Sequence, residues 1–263
     1  RGIAVSAGKV FVTGTTISGD YPLQPLPSGA LLGLSDAFVT ELDPSLGTAG
    51  LVYSRYLGGT GTEDGRSIAV DSAGSAYVTG STTAAAVPLN DFPTLGAFQP
   101  ARGSGAAAEE DAFITKLSTT GTLAYSTYLG GSGTDGGYGL ALKPGAVGAT
   151  EAYVTGLTAS ANFPTLTPYL AAPGGGGEDA FVTKLSVSGS ALVYSTYAGG
   201  GLGDAGSSIA VNAAGYAFVT GSTFSANFPM ASPFQGTHVG ASADAFVTEL
   251  NPGGSTLAYS SYL

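Results

Sequence analysis

The sequence predicts an all-β protein built from one repeated unit, and three observations predict it. A seven-residue stretch occurs four times: DAFVTEL from Asp36, DAFITKL from Asp111, DAFVTKL from Asp179 and DAFVTEL from Asp244, at spacings of 75, 68 and 65 residues. Every other recognisable stretch keeps its place relative to this one. The apolar runs are short, rich in Val, Ile, Thr, Tyr and Phe, and bounded by Gly, Pro, Asp or Ser, which is the pattern of strands and turns. No window sustains a helical apolar period.

Each unit carries four such runs, here A to D. Run A begins at Ile3 and recurs at Ile68, Leu140 and Ile209. Run B begins at Val10 and recurs around Tyr77, Tyr153 and Phe218. Run C is the DAFVT stretch. Run D begins at Leu51 and recurs from Leu123, Leu192 and Leu257. A and B are joined by tight turns, DSAG from Asp71 and NAAG from Asn212, where Asp or Asn bonds its own backbone and Gly takes a positive φ. In the third unit this turn expands through residues 144–150. C and D are joined by short Gly-bearing turns.

Four antiparallel strands per unit, apolar on both faces and recurring four times, predict a β-propeller of four four-stranded antiparallel blades. The alternatives are part of a larger propeller or an open array of blades. The chain reads as a single domain, 1–263, with units 1–65, 66–137, 138–206 and 207–263.

The string GRSIAVDSAGSAYVTGSTT, followed by DFPTLGAFQP, DAFITKL and LAYSTYLGG, resembles the bacterial SBBP β-propeller repeat. All four units share the pattern, so the resemblance covers nearly the whole chain. It implies a blade fold and a setting in large secreted or surface-attached bacterial proteins. It supplies no catalytic residues. The family is named for seven blades, and this chain has four units.

If the strands alternate in direction with A innermost, the B–C and D–A connections leave on one face, and the A–B and C–D turns on the other. The B–C connections are long: 14–35, 80–110, 156–178 and 221–243. The D–A connections, 58–65, 130–137 and 199–206, are Gly-rich and acidic. One face therefore carries all the long loops, and loops on a rigid scaffold are where binding usually sits.

Composition narrows the function. Net charge is −10, which argues against nucleic acid and against an anionic membrane surface. No apolar run is long enough for a membrane-spanning helix. Charged residues are 10% against 43% hydrophobic, so a large core can form under a weakly charged surface. With no Cys, disulfides, thiolate metal sites and cysteine nucleophiles are excluded. The chain starts with Arg1, inside the unit's own motif, and reads as a processed product or an excised piece of something longer.

Candidate sites lie on the loop face. Asp64, Asp135 and Asp204 recur in the D–A linkers, with Glu63 beside the first. They are candidate Ca²⁺ ligands, although that cation wants six to eight oxygens, and the simpler reading is turn residues. Asp36, Asp111, Asp179 and Asp244 most simply accept backbone N–H bonds where each long loop enters the sheet. Each B–C loop has an Asx–aromatic–Pro triplet containing Tyr21, Phe92, Phe163 or Phe228. These rings are either four equivalent ligand platforms, as in a multivalent lectin, or plugs that pin the loops to the blades; large apolar rings favour the plug. The tyrosine pairs of run D (Tyr53 with Tyr56 and its repeats) read as strand packing, with hydroxyls reaching the outer edge. His238 has no nucleophile or orienting carboxylate patterned around it, and no catalytic residue is assigned.

The expected function is a non-enzymatic structural or interaction module of a bacterial extracellular or cell-surface assembly, such as a filament subunit. The alternative is a multivalent carbohydrate-binding propeller. Expected partners are other copies, flanking parts of a longer chain, or glycans, with contact through the exposed edges of run D or through the long loops. Neither nucleic acid nor membrane insertion is expected, and no cofactor apart from Ca²⁺.

Overall fold

A computed structural model describes residues 1–24, 30–84, 91–105, 108–143 and 150–263. The expanded A–B turn of the third unit lies, except for Thr150, outside the described residues. Four antiparallel sheets of four strands follow one another along the chain. Blade 1 is β1 (Gly2–Ser6), β2 (Lys9–Thr16), β3 (Asp36–Leu42) and β4 (Leu51–Leu57). Blade 2 is β5 (Glu63–Val70), β6 (Ala76–Thr82), β7 (Asp111–Leu117) and β8 (Leu123–Leu129). Blade 3 is β9 (Asp135–Leu142), β10 (Ala152–Thr158), β11 (Asp179–Leu185) and β12 (Leu192–Ala198). Blade 4 is β13 (Asp204–Val211), β14 (Ala217–Thr223), β15 (Asp244–Leu250) and β16 (Leu257–Tyr262). The one helical piece among the described residues is a short 3-10 segment, Pro44–Ala49, capped by the Asp43 side chain.

Strand order in every blade is A–B–C–D. The A strands are innermost: β1 packs on β5, β5 on β9, and β9 on β13. β13 and β1 do not pack in this way, so the blades form an open array rather than a closed ring. Three apolar clusters fill the three junctions. Phe11, Val39 and Tyr53 of blade 1 meet Ile68, Val78 and Phe113 of blade 2. Tyr77, Ile114 and Tyr125 of blade 2 meet Leu140, Val154 and Phe181 of blade 3. Tyr153, Val182 and Tyr194 meet Ile209, Val219 and Phe246. Burial on both faces explains why the strands lack the apolar–polar alternation of a half-wet sheet.

The unit boundaries read from the sequence cut through strands. Gly65, Gly137 and Gly206 resemble linker glycines, yet they lie inside β5, β9 and β13, at a β-bulge. A Cβ at each would collide with the Oγ1 of Thr13, Thr79 or Thr155 on the preceding blade. Those glycines allow neighbouring blades to approach closely, and the true linkers end at residues 62, 134 and 203.

The outer edges of the D strands are not free, contrary to the expectation above. The B–C loop of each blade folds back along its own D strand as a partial fifth strand. Leu95 pairs with Ser126, Gln99 with Tyr128, Leu166 with Ser195, Leu170 with Tyr197, Ala231 with Ser260 and Gln235 with Tyr262. In blade 1 Gln24 pairs with Ser54. The long loops satisfy the edge that a short, uncharged strand would otherwise offer to another chain.

Candidate functional site

The loop face is where the candidate residues converge, as the alternation of strand direction required. Each of the three D–A linkers interlocks with the B–C loops on either side. Asp135 N–H donates to Glu110 O at 2.7 Å and Ala159 N–H to Thr134 O at 2.8 Å, and the neighbouring junctions repeat the pattern.

Phe92, Phe163 and Phe228 are 2–3% exposed. Each stacks on a strand C phenylalanine, with centroids 4.6 Å apart for Phe92–Phe113 and Phe163–Phe181, and 4.4 Å for Phe228–Phe246. Each is also held through its backbone. Phe163 N–H donates to the Tyr197 hydroxyl at 3.0 Å, and that hydroxyl donates to Ser160 O at 2.6 Å. Tyr262 holds Phe228 and Ser225 in the same way, at 3.2 and 2.6 Å. The second tyrosine of each D strand thus clamps the loop instead of pointing to solvent. Tyr21 stacks 4.7 Å from Phe38 and is half-buried, with none of the other three blades against that face.

The polar residue before each of the three buried rings has a role that the sequence reading left unassigned. Asn162 Oδ1 accepts from Ser132 N–H at 2.8 Å, Asn227 Oδ1 from Gly201 N–H at 2.7 Å, and Asp91 Oδ2 from Thr60 N–H at 2.5 Å. Each acceptor fastens the linker that leads into its own blade. The recurrence of Asp or Asn at that position was the available signal.

The linker acids do not form one set. Register aligns Glu63, not Asp64, with Asp135 and Asp204, opposite Thr82, Thr158 and Thr223. Asp64 lies one residue on, opposite Ser81, and binds Arg1 at 2.5 Å, Arg66 at 3.0 Å and the Thr15 hydroxyl. Two adjacent acids made the alignment ambiguous in the sequence.

Glu63, Asp135 and Asp204 each face the carboxylate that starts strand C of the preceding blade. A Cβ on Gly130 would lie 2.8 Å from Asp135 Oδ2 and 2.9 Å from Asp111 Cγ, so the two carboxylates stand over one glycine. Gly58 holds the same place between Glu63 and Asp36, and Gly199 between Asp204 and Asp179. All six side chains are buried. Asp135 accepts from Gly131 N–H at 2.7 Å and Ser160 Oγ at 2.8 Å; Asp204 accepts from Gly200 N–H at 2.6 Å and Ser225 Oγ at 2.9 Å. Asp111 accepts from Gly103 N–H at 2.6 Å and Asp179 from Gly174 N–H at 3.2 Å, the loop-entry role expected of them. In blade 4 Asp244 accepts from Val239 N–H at 2.8 Å.

Burial pushes these carboxyls up despite the donors: Glu63 to about 7, and Asp135 and Asp179 each to about 6. Asp36, Asp111 and Asp204 are raised for the same reason. Facing carboxyls in low dielectric hold their protons to higher pH than free ones do. Two carboxylates per junction, already engaged by N–H and O–H donors, fall well short of the six to eight oxygens of a Ca²⁺ shell. Among the described residues no three acidic or histidine side chains converge on a point.

His238 stands edge-on to Tyr262 at 5.7 Å, with Nε2 3.3 Å from Thr223 O. Among the described residues no serine or threonine hydroxyl is bonded to it.

Residues 52–85 match the family model described as SBBP, a beta-propeller repeat. The match runs from β4 through β5 and β6, the outer strand of one blade and the inner hairpin of the next. Four all-β blades of A–B–C–D order fit that repeat. No curated protein matches the chain. Among solved structures the chain is similar to a point mutant of Synechocystis apocarotenoid oxygenase (ACO). Identity is 11%, the alignment covers 97% of this chain and 66% of that one, and the TM-score is 0.30. This chain thus spans about two thirds of that protein, and a likeness at this level carries no argument about function.

Proposed function

We propose that this run of four SBBP-type blades is a non-enzymatic interaction module of a bacterial extracellular or cell-surface assembly. One observation carries the reading: the first blade repeats, on the face that points away from blade 2, the apolar pattern by which the interior blades bind their neighbours. In the interior, Ile68, Val78, Phe113 and Leu117 are at most 7% exposed under the preceding blade. Their counterparts on blade 1 are Ile3 at 70% exposed, Val12 and Phe38 half-buried, and Leu42 at 37%. A face built to the interior pattern is a contact surface, whether for flanking parts of a longer chain or for another protein.

The loop face supports the same reading from the other side. Its polar groups are spent on holding loops and linkers, and among the described residues no nucleophile, base and orienting group meet there. The carbohydrate-binding alternative loses most of its aromatic platforms, because three of the four rings are buried under 4% exposure. Only Tyr21 retains an accessible face.

The test uses the protein in the cells that make it. A photo-cross-linking residue placed at Val5 on blade 1, or at Ser208 on blade 4, is expected to yield covalent adducts with other protein chains. Absence of adducts at both positions, together with retention of the protein on purified cell-wall glycan, would overturn the reading in favour of a lectin.

A further inference from the structure

The facing carboxyls stand where each linker is tied to the loop of the preceding blade. Glu63 N–H donates to Ser35 O at 2.9 Å, Asp135 N–H to Glu110 O at 2.7 Å and Asp204 N–H to Glu178 O at 2.9 Å. The acceptor is in each case the residue before the strand C aspartate, so this one backbone bond brings Glu63 to Asp36, Asp135 to Asp111 and Asp204 to Asp179. Backbone donors hold both partners of a pair. On the linker side Gly59 N–H reaches Glu63 Oε2 at 2.9 Å, as Gly131 and Gly200 reach Asp135 and Asp204. On the loop side Gly33 N–H reaches Asp36 at 3.4 Å, as Gly103 and Gly174 reach Asp111 and Asp179.

Oxygens in two of these sites receive no donor. Asp135 Oδ1 and Asp204 Oδ1 are buried with no partner at hydrogen-bonding geometry. At the first junction Thr82 Oγ1 donates to Glu63 Oε1 at 2.9 Å. Its counterparts Thr158 and Thr223 instead accept from Ser160 and Ser225 N–H, both at 3.0 Å. A buried carboxylate oxygen with no donor favours a proton over a charge, and a like charge facing it adds to that preference. The N–H donors stabilise ionisation of one carboxyl in each pair, so the second is where the proton stays.

The groups around the pairs differ. A third carboxylate, Asp91, bears on both Glu63 and Asp36, and among the described residues none of the three is in an ion pair. Arg102 bears on Asp111 from its own loop, with Glu109 opposing it. His238 bears on Asp204. The clamp tyrosines Tyr128, Tyr197 and Tyr262 border the same sites, and burial raises them, so they stay neutral.

We propose that each junction is a proton-operated latch: with a proton held between the facing carboxyls the linker and the loop stay tied, and its loss sets two charges face to face and releases both while the blades remain folded. The raised carboxyls place the change as pH rises through about 6 to 7. The junction of blades 1 and 2 opens at the lowest pH, because a third acid and no cation attend it. That of blades 2 and 3 opens last, because the Arg102 guanidinium offsets part of the repulsion. His238 offsets it at the remaining junction only while protonated. The array is therefore tight in acid and loosened at its linkers above neutrality.

The test is residue-resolved hydrogen exchange of the full chain from about pH 5 to about pH 8, corrected for the intrinsic pH dependence of exchange. Protection of the Glu63, Asp135 and Asp204 amides is expected to fall by at least about tenfold, with Glu63 first, while amides of the B and C strands keep theirs. Glu63→Gln and Asp36→Asn each leave a single carboxyl at the first junction. Either is expected to remove the pH dependence there and to leave it in place at the other two, which a merely structural loss would not do. The wild-type measurement stands without the variants should both fold poorly. Protection that does not change with pH, or that is lost from linkers and strands together, would overturn the latch, as would a folded variant that keeps the full pH dependence at the first junction. The interaction-module reading is independent of this outcome.

Discussion

Replacing Phe163 by Ala separates a plug from a ligand platform. The ring is 3% exposed, stacks 4.6 Å from Phe181 and 6.0 Å from Tyr197, and belongs to the cluster between blades 2 and 3. Truncating a buried phenylalanine costs about 3–5 kcal/mol through lost transfer energy and the cavity left behind. For a domain of this size each kcal/mol lowers Tm by about 2–4 °C, so a drop of at least about 6 °C is expected. In a repeat array the loss is concentrated at one junction, so calorimetry should show the first transition moving. Tyr21→Ala is the internal control. Its ring has the same stacking partner type but lacks a covering blade, so a loss of about 1–2 kcal/mol is expected. A ligand platform predicts the reverse, with little change in melting for either variant and lost binding for both. If Phe163→Ala melts within about 2 °C of the wild type, the plug assignment and the packing argument behind it fail.

Three further outcomes follow from the same geometry. Tyr197→Phe strands the Phe163 N–H and the Ser160 carbonyl in a buried site and is expected to cost about 2–3 kcal/mol by urea titration, whereas Tyr194→Phe removes a buried hydroxyl with no partner and is expected to cost nothing or to stabilise. Glu63, Asp135 and Asp179 hold their protons more tightly folded than unfolded, so their contribution is full below about pH 4 and is lost as pH rises through about 6 to 7. Melting temperature should therefore fall from pH 4 to pH 8, and Glu63→Gln should flatten part of the slope; a rise over that range would refute the buried-pair assignment. Excess chelator added to calcium-equilibrated protein is expected to leave Tm unchanged; a fall would show that the facing carboxylates hold a cation that stabilises the folded state.

The repeat made the blades readable because strand periodicity and turn residues are local properties. The A–B–C–D order, the innermost A strands and the common loop face all follow from local signals once the strands alternate. What depended on packing between blades was hidden. Gly65, Gly137 and Gly206 look like linker residues until Thr13, Thr79 and Thr155 are found against them. The facing of Asp111 with Asp135 joins residues 24 apart that meet only because one blade stacks on the next. The coverage of the D-strand edges could not be read either, since the covering segments, such as Leu95 to Gln99, carry turn-like composition rather than a strand signature. Tyr128, Tyr197 and Tyr262 appeared as outer-edge residues for the same reason.

The fastening of each linker by the blade that follows gives the molecule a direction. Ser132 is held by Asn162, and Gly201 by Asn227, so a blade's exit is secured only after the next blade has begun to form. During synthesis the amino-terminal blades emerge first, and each leaves one bare apolar face until its successor arrives to cover it. The advancing front therefore exposes one sticky surface at a time, however many blades the array contains. A chain that grows this way keeps its aggregation hazard constant with length, which is a property that a sheet assembled from distant strands does not share.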